Sequence, residues 1–289
     1  MKVSGVSFIK NSLKYDYPIK EALQSILPIC DEIIVAVGKS EDGTRDLVES
    51  INPKIKIIDT EWDETLREGG KVLADETNKA LKYVSKDTDW IFYIQGDEVI
   101  HEKYLNAVIK GMEENLSDEK VDGLLFKYLH FYGSYEFIGA SSKWYSHEIR
   151  VIKNNPKIYS YRDAQGFRMG GNKKLKVKEI EAYIYHYGWV KDPRAMQGKM
   201  ETFNKLYHDD EWIDKNIVKR EEFDYRFVNA LNRFEGSHPK VMQERINSKN
   251  WSFDFDPSFN KFRLKDKLKK MIYKYFNIRI GYTNYKLIK

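Results

Sequence analysis

Two acids stand side by side after an apolar run. In WIFYIQGDEVIHE, residues 90–102, five mostly apolar residues lead into Gln95, Gly96, Asp97 and Glu98. Hard divalent cations such as Mg2+ and Mn2+ take carboxylate oxygens and keep positions open for phosphate oxygens. A cation held at such a strand end would offset the charge of a leaving diphosphate. The same acids could instead cap a helix that begins near His101. Taken alone, the pair leaves a metal site and a cap equally open.

The elements that would position these acids follow from the apolar pattern. VSGVSFIKN (3–11) reads as a strand, and apolar positions 19, 22, 23, 26 and 27 have helical spacing, with Pro18 in the first turn. EIIVAVG (32–38) is a continuous apolar strand. SEDGT (40–44) is a turn from which Thr44 would cap a helix over RDLVESI. IKIIDTEW (55–62) is a third strand, Gly69-Gly70 opens a helix to about Tyr83, and DWIFYI (89–94) is a fourth strand. This alternation predicts an α/β protein with a mostly parallel sheet flanked by helices. Continuous apolar strands fit a sheet covered on both faces, which binds ligands at the carboxyl ends of its strands. Asp97 and Glu98 lie at such an end.

After a helix at 101–116 the pattern changes to longer strands at 124–133, 147–154 and 176–189. Between them YRDAQGFRMGGNKK (161–174) is polar and glycine-rich. The expected organisation is one core over residues 1–192, with halves at about 1–100 and 101–192. A mainly helical extension follows at 193–289.

Composition sets limits. With 42% hydrophobic and 32% charged residues the chain reads as soluble and globular, and no apolar run approaches the roughly 18 residues of a membrane span. The opening MKVSGVSFIKNS lacks a long apolar segment and a small-residue cleavage site, so no signal peptide is expected. The single cysteine, Cys30, cannot form an internal disulfide, which fits a cytoplasmic setting. From Lys261 onward there are ten Lys/Arg against Asp266 alone. This stretch therefore carries +9 of a chain total of +5, and the rest carries −4. The body is not a nucleic-acid surface by charge, and no nucleic-acid partner is expected.

Four features recur in a recognisable order: S-x-D-G-T after a strand (Ser40, Asp42, Gly43, Thr44), a helix carrying Asn78, the segment DWIFYIQGDE, and H-Y-G-W at 186–189. Together they resemble the family 2 glycosyltransferases of the GT-A fold, over roughly residues 1–190. The H-Y-G-W segment is similar to the His-Tyr-Gly segment of the lipopolysaccharide-core-type branch. The resemblance implies a Rossmann-like GT-A sheet whose first half binds a nucleotide-sugar and whose second half faces the acceptor. It also implies metal-dependent, inverting transfer of a sugar to a glycan or lipid-linked acceptor, in assembly of a bacterial surface polysaccharide.

Carried over by position, Asp97 would bind the Mn2+ or Mg2+ that bridges the donor diphosphate. His186 would join it, since neutral imidazole is a good ligand and imidazolium would offset phosphate charge. Gln95 stands where the first acid of the motif usually stands; its carbonyl can contact ribose or a metal-bound water but supplies no charge. Glu98 and Asp42 complete the donor candidates, with Asp42 also readable as a turn residue. Arg67 precedes Gly69-Gly70, where a helix N-terminus attracts anions, and is the remaining donor candidate. Val37 and Gly38 stand where the family often has acids that read uracil and ribose. UDP is the expected nucleotide, without its usual base-reading acid.

Inverting transfer needs one base to take the proton of the attacking hydroxyl. Asp163, in a polar loop between two strands, is the first choice. Glu148 is the second, with an ion pair to Arg150 as its structural alternative. Arg150, Arg162 and Arg168 could steady phosphates or an acidic acceptor, or lie on the surface. Of Tyr128, His130, Phe131, Tyr132, Tyr135, Phe137, Trp144 and Tyr145, about half are expected in the core and the rest against sugar rings.

In 258–277, Leu264, Leu268, Met271, Ile272 and Tyr275 fall at helical spacing among lysines. Such a helix can lie on an anionic membrane surface, placing the protein peripherally on the inner face, or can pack on its own domain. Two other functions compete. A sugar-phosphate nucleotidyltransferase would need a glycine-rich loop after the first strand, where FIKNSLKYDYP has none. A degenerate transferase that only binds glycans or a partner would fit Gln95 and the missing base-reading acid.

Overall fold

The computed structural model describes residues 1–276 and 282–288. Four apolar runs become four adjacent parallel strands. β1 (Val3–Ile9) lies between β2 (Glu32–Gly38) and β4 (Trp90–Tyr93), with β3 (Ile55–Thr60) beyond β2. β1, β2 and β4 are buried throughout, as strands covered on both faces must be, whereas β3 at the edge is only half-buried. The crossovers are α1 (Ile19–Ile26), α2 (Thr44–Ile51) and α3 (Lys71–Leu81). Alternate residues of β2 serve two layers. Ile33, Val35 and Val37 pack with Ile19, Leu23 and Ile26 of α1, while Ile34 and Ala36 pack with Val72, Leu73 and Ala80 of α3. Thr44 does not cap α2: Gly43 holds the cap position at φ 75°, and Thr44 Oγ1 bonds to Ser12 and Asp42 instead.

Beyond β4 the sheet turns antiparallel. β5 (Glu98–Ile100), α4 (Leu105–Glu114), β6 (Gly123–Tyr132), β7 (Ser134–Gly139) and β8 (His147–Lys153) follow in the chain, and β8 inserts between β4 and β6. The polar segment at 161–174 is not an open loop. It belongs to a small antiparallel sheet of β9 (Ile158–Tyr161), β10 (Gly166–Met169) and β11 (Lys173–Lys174). The long β12 (Lys176–Trp189) runs parallel to β6 and antiparallel to β5, so that His186 is registered opposite both His130 and Glu98. The whole is a mixed α/β fold whose mostly parallel central sheet is flanked by helices, the GT-A class.

The extension is less helical than its periodicity predicts. α5 (Pro193–Asn204), α6 (Asp210–Asn216), α7 (Gln243–Asn247) and α8 (Leu264–Phe276) are separated by irregular stretches. Many of its apolar residues are aromatic, and they cluster: Tyr225 and Phe253 pack on each other and on Tyr132, and Trp251 packs against Tyr135. β13 (Leu231–Arg233) adds to β7, and β14 (Lys286–Leu287) adds to β12. Among the described residues no helix is long and apolar enough to cross a membrane.

Candidate active site

Asp97 reaches the cleft through a tight break between β4 and β5. A Cβ on Gly96 would meet Ile9 Cδ1 at 2.8 Å, and one on Gly188 would meet Asp97 Oδ2 at 2.6 Å, so both close approaches require glycine. The Tyr187 amide donates to the Asp97 carbonyl at 2.8 Å. β12 is thereby held against the acidic turn, and His186 Nε2 comes to 3.7 Å from Asp97 Oδ1. From α5, Lys199 Nζ lies 3.5 Å from Asp97 Oδ2 and donates to the Gly188 carbonyl at 2.9 Å. Burial alone would raise the Asp97 carboxyl, but the positive charges beside it, Lys199 and Lys191 among them, hold it at about 2. Burial pushes Lys199 down, against the pull of Asp97. Lys191 is fully buried and pushed well below its ordinary range, first by burial and then by Lys199. Both ammonium groups lie over the Tyr17 ring, at 4.1 Å for Lys191 and 5.0 Å for Lys199.

A histidine pair fixes which nitrogen faces Asp97. His130 Nε2 is 2.7 Å from the Tyr145 carbonyl, so it must donate there. Neutral His130 then accepts at Nδ1, 3.2 Å from His186 Nδ1, which donates to it. This network assigns the His186 lone pair to Nε2, on the side of Asp97. Burial, the largest influence on each ring, lowers both imidazoles and favours the neutral forms this arrangement needs.

Gln95 holds the opposite wall. Its amide donates to the Ala164 carbonyl and to Tyr93 Oη, each at 3.1 Å. Ala164 belongs to the turn joining β9 to β10, whose middle residue is Asp163. The flanking residues, Arg162 at φ 55° and Ala164 at φ 58°, are both left-handed. Asp163 lines the cleft across from α3. A Cβ on Gly70 would meet Asp163 Cβ at 2.8 Å and Tyr207 Cζ at 2.9 Å. Burial, then Asp163 and Asp97, raise the Tyr207 phenol, so this ring sits within the field of both carboxylates.

The other expected residues are placed elsewhere. Glu98 does not line the cleft. It is fully buried in a bidentate pair with Arg150, at 2.6 and 2.7 Å, and accepts from Tyr128 Oη at 2.7 Å and the Gln95 amide at 3.1 Å. Asp97 lies in the turn before β5 and Arg150 takes both Glu98 oxygens, so the two acids do not share one site. Arg150 thus pairs with Glu98, not with Glu148. Glu148 is also buried away from the cleft, beneath Gly166 and Asn284, and burial pushes it up to about 8. Asp42 is a turn residue, accepting from the backbone of Lys14 and Thr44. Arg67 lines the cleft, but its guanidinium is engaged by the carbonyls of Lys205 and His208 and by Asp210. The Gly70 amide, at the start of α3, donates to the Leu206 carbonyl rather than to an anion. Arg168 holds the Asn284 carbonyl, and Arg162 is exposed.

The cleft has a volume of about 1290 Å³. The aromatic set divides between it and the core: His130, Tyr132, Trp144 and Tyr145 line it, while Phe131, Tyr135 and Phe137 lie in the core. Two of the lining residues that carried no expectation bear on the chemistry. Trp62, just beyond β3, covers Gly38 so closely that a Cβ there would meet Trp62 Nε1 at 2.3 Å. Lys199 is the other. It sits among Met196, Met200 and Phe203 in the apolar stripe of α5, and a charge interrupting such a stripe is the signal that could have found it.

The sequence profile described as Glycosyl transferase family 2 matches residues 15–175. The chain belongs to glycosyl transferase family 2. Several solved transferases are similar to it. Staphylococcus aureus TarS is 17% identical, with 76% of this chain covering 41% of that one at a TM-score of 0.44. TarS 1–349 in complex with UDP-GlcNAc is also 17% identical, with 76% and 68% covered and a TM-score of 0.41. Mycobacterium tuberculosis glucosyl-3-phosphoglycerate synthase, in complex with Mn2+, UDP and phosphoglyceric acid, is 20% identical, with 45% and 43% covered and a TM-score of 0.31. The chain thus spans less than half the length of the first of these. No curated protein sequence matches it.

The site of this family 2 glycosyltransferase fits a divalent ion. Asp97 Oδ1 and the bare Nε2 of His186 are 3.7 Å apart, a separation one ion can bridge. Gly188, having no side chain, is what lets the two approach so closely. Among the described residues no three His, Cys, Asp or Glu side chains converge on a metal site. Two protein ligands suit an ion that completes its shell with diphosphate oxygens and water.

Proposed function

We propose that the protein transfers a sugar from a nucleotide-sugar, a UDP-sugar first, to a hydroxyl of a glycan or lipid-linked acceptor with inversion, in assembly of a bacterial surface polysaccharide. The observation that carries this reading is the pairing of Asp97 with the bare nitrogen of His186 in a cleft that also contains Asp163. Asp97 and His186 would hold Mn2+ or Mg2+, which when bound neutralises charge on the departing diphosphate. Lys199 adds a fixed positive charge at the same place. Asp163 accepts the proton of the acceptor hydroxyl as its oxygen bonds to the anomeric carbon and the diphosphate leaves from the opposite side. Gln95 keeps the Asp163 turn in place. The base would stack among Phe8, Lys10 and Trp62, so that an aromatic ring replaces the family's usual base-reading acid. Residues 1–192 would form the transferase core and 193–289 the extension that supplies Lys199.

Calorimetric titration with UDP, GDP, CDP and TDP, each with and without Mn2+, tests the reading. Metal-dependent binding of one nucleotide, lost in Asp97→Ala, is the expected result. Binding of none of them would leave the acids a purely structural turn. Full turnover in Asp163→Asn would remove Asp163 as the base.

A further inference from the structure

Helix α8 turns an apolar stripe to solvent. Four of its apolar residues, Leu264, Leu268, Met271 and Tyr275, recur at intervals of four, three and four, which places them on one exposed face, while Ile272 is half-buried. Leu264 is 85% exposed, Tyr275 68%, Leu268 52% and Met271 51%. The acid Asp266, on the opposite face, is the buried one, and it accepts from Ser142 Oγ. A helix packed on its own domain for stability would present these faces the other way round. Five lysines and this single inward acid make up the charge of the helix. An outward apolar stripe on a basic helix matches the interface of an anionic bilayer, with its apolar interior and negative headgroups.

The attachments of α8 give the stripe a direction. Ser142 belongs to the 141–145 segment, of which Lys143, Trp144 and Tyr145 line the cleft. On the segment entering the same end, the Lys261 amide donates to the Asn229 carbonyl at 2.8 Å, and Asn260 Oδ1 accepts from the Leu231 amide at 2.8 Å. Asn229 and Phe227 line the cleft as well, and Phe227 is 79% exposed. Just before the helix, Phe259 is 72% exposed. The outward apolar residues therefore continue from the helix to the rim of the active-site cleft.

We propose that α8, with Phe259 and Phe227, docks the rim of the cleft on an anionic membrane surface, so that the acceptor is a lipid-linked glycan presented at that surface. This deepens the reading of the cleft as a sugar-transfer site and rests on it for the acceptor's chemistry. Docking brings the acceptor's headgroup, not its acyl chains, to Asp163.

The test is sedimentation of the full chain with phosphatidylglycerol-rich vesicles and with pure phosphatidylcholine vesicles, at low and high salt. Binding to the first only, weakened by salt, is expected. The variant L264S/L268S/M271S, altered only on the exposed face, should bind at least about tenfold more weakly. Calorimetric UDP binding should be the same in variant and parent. Failure of the parent to sediment with phosphatidylglycerol-rich vesicles overturns the proposal, as does equal sedimentation of the variant. A concentration-dependent dimer in vesicle-free solution, abolished in the variant and not sedimenting with lipid, would assign the stripe to a second copy of the chain. UDP binding without vesicle binding overturns the docking alone; vesicle binding without nucleotide binding overturns the transferase reading of the cleft.

Discussion

The side-chain amide of Gln95 donates to the carbonyl of Ala164, so the residue that replaces the first acid of the strand-end motif holds the turn carrying Asp163. This bond, which a carboxylate could not donate, ties the turn down beside those from Tyr93 Oη to the Ala164 carbonyl and from Arg150 to the Gln165 carbonyl. Gln95→Glu should therefore act on chemistry more than on donor binding. A fall in kcat of about 10²-fold with little change in UDP affinity is expected, as when a reacting group is displaced by about 1 Å. Single-turnover kinetics beside calorimetry separates the two. Loss of UDP affinity with unchanged chemistry would place Gln95 on the nucleotide instead.

Glu98 belongs to the fold rather than to the donor site. Glu98→Ala leaves the Arg150 guanidinium fully buried and unpaired, and should cost about 3–5 kcal/mol in urea unfolding. Asp97→Ala, by contrast, should lose nucleotide binding with the fold intact. Similar unfolding midpoints for the two variants would contradict this division of labour.

Lys199 occupies one oxygen of Asp97 and so competes with a metal while standing ready for a diphosphate. In Lys199→Met two shifts of opposite sign are expected. Mn2+ alone should bind more tightly, because Asp97 is freed. UDP should bind about tenfold more weakly, because a charge-assisted contact is lost. Mn2+ titration by electron paramagnetic resonance, followed by calorimetry with UDP, reads both. Weaker Mn2+ binding would show that Lys199 supports the ion's site instead of opposing it.

Glu148 makes stability depend on pH. Burial raises its folded value to about 8 from an ordinary 4.5. Between these limits the folded chain keeps a proton that the unfolded chain has released, so stability falls as pH rises through this window. Glu148→Gln stays neutral and should remove that slope, leaving the variant more stable than the parent at pH 9 by about 1–3 kcal/mol. Urea unfolding at pH 5 and pH 9 checks it; a parallel loss in parent and variant would assign the slope to another group.

Most of the donor half was legible because its signals are local. Apolar runs of EIIVAVG and WIFYI length admit only strands covered on both faces, and turns between them put Asp97 at a carboxyl end. Arg150 as the partner of Glu98 was not legible, because β8 enters the sheet between β4 and β6 only through pairing that no local pattern encodes. The same holds for Lys199 and Trp62, which reach the cleft by the return of α5 and the close approach at Gly38. In the extension, irregular stretches whose aromatic residues cluster on Tyr132 and Tyr135 read as helix.

The profile of the family stops at residue 175, yet His186 and Lys199 both lie beyond it. The groups that surround the Asp97 carboxylate, His186, Lys191 and Lys199, are therefore all written in sequence beyond the matched residues. The chain then leads through α8, with its outward apolar face, and returns to lie along β12. A single exchange of everything after residue 175 with another member would alter, together, the cation environment of the leaving group and the surface that meets the acceptor.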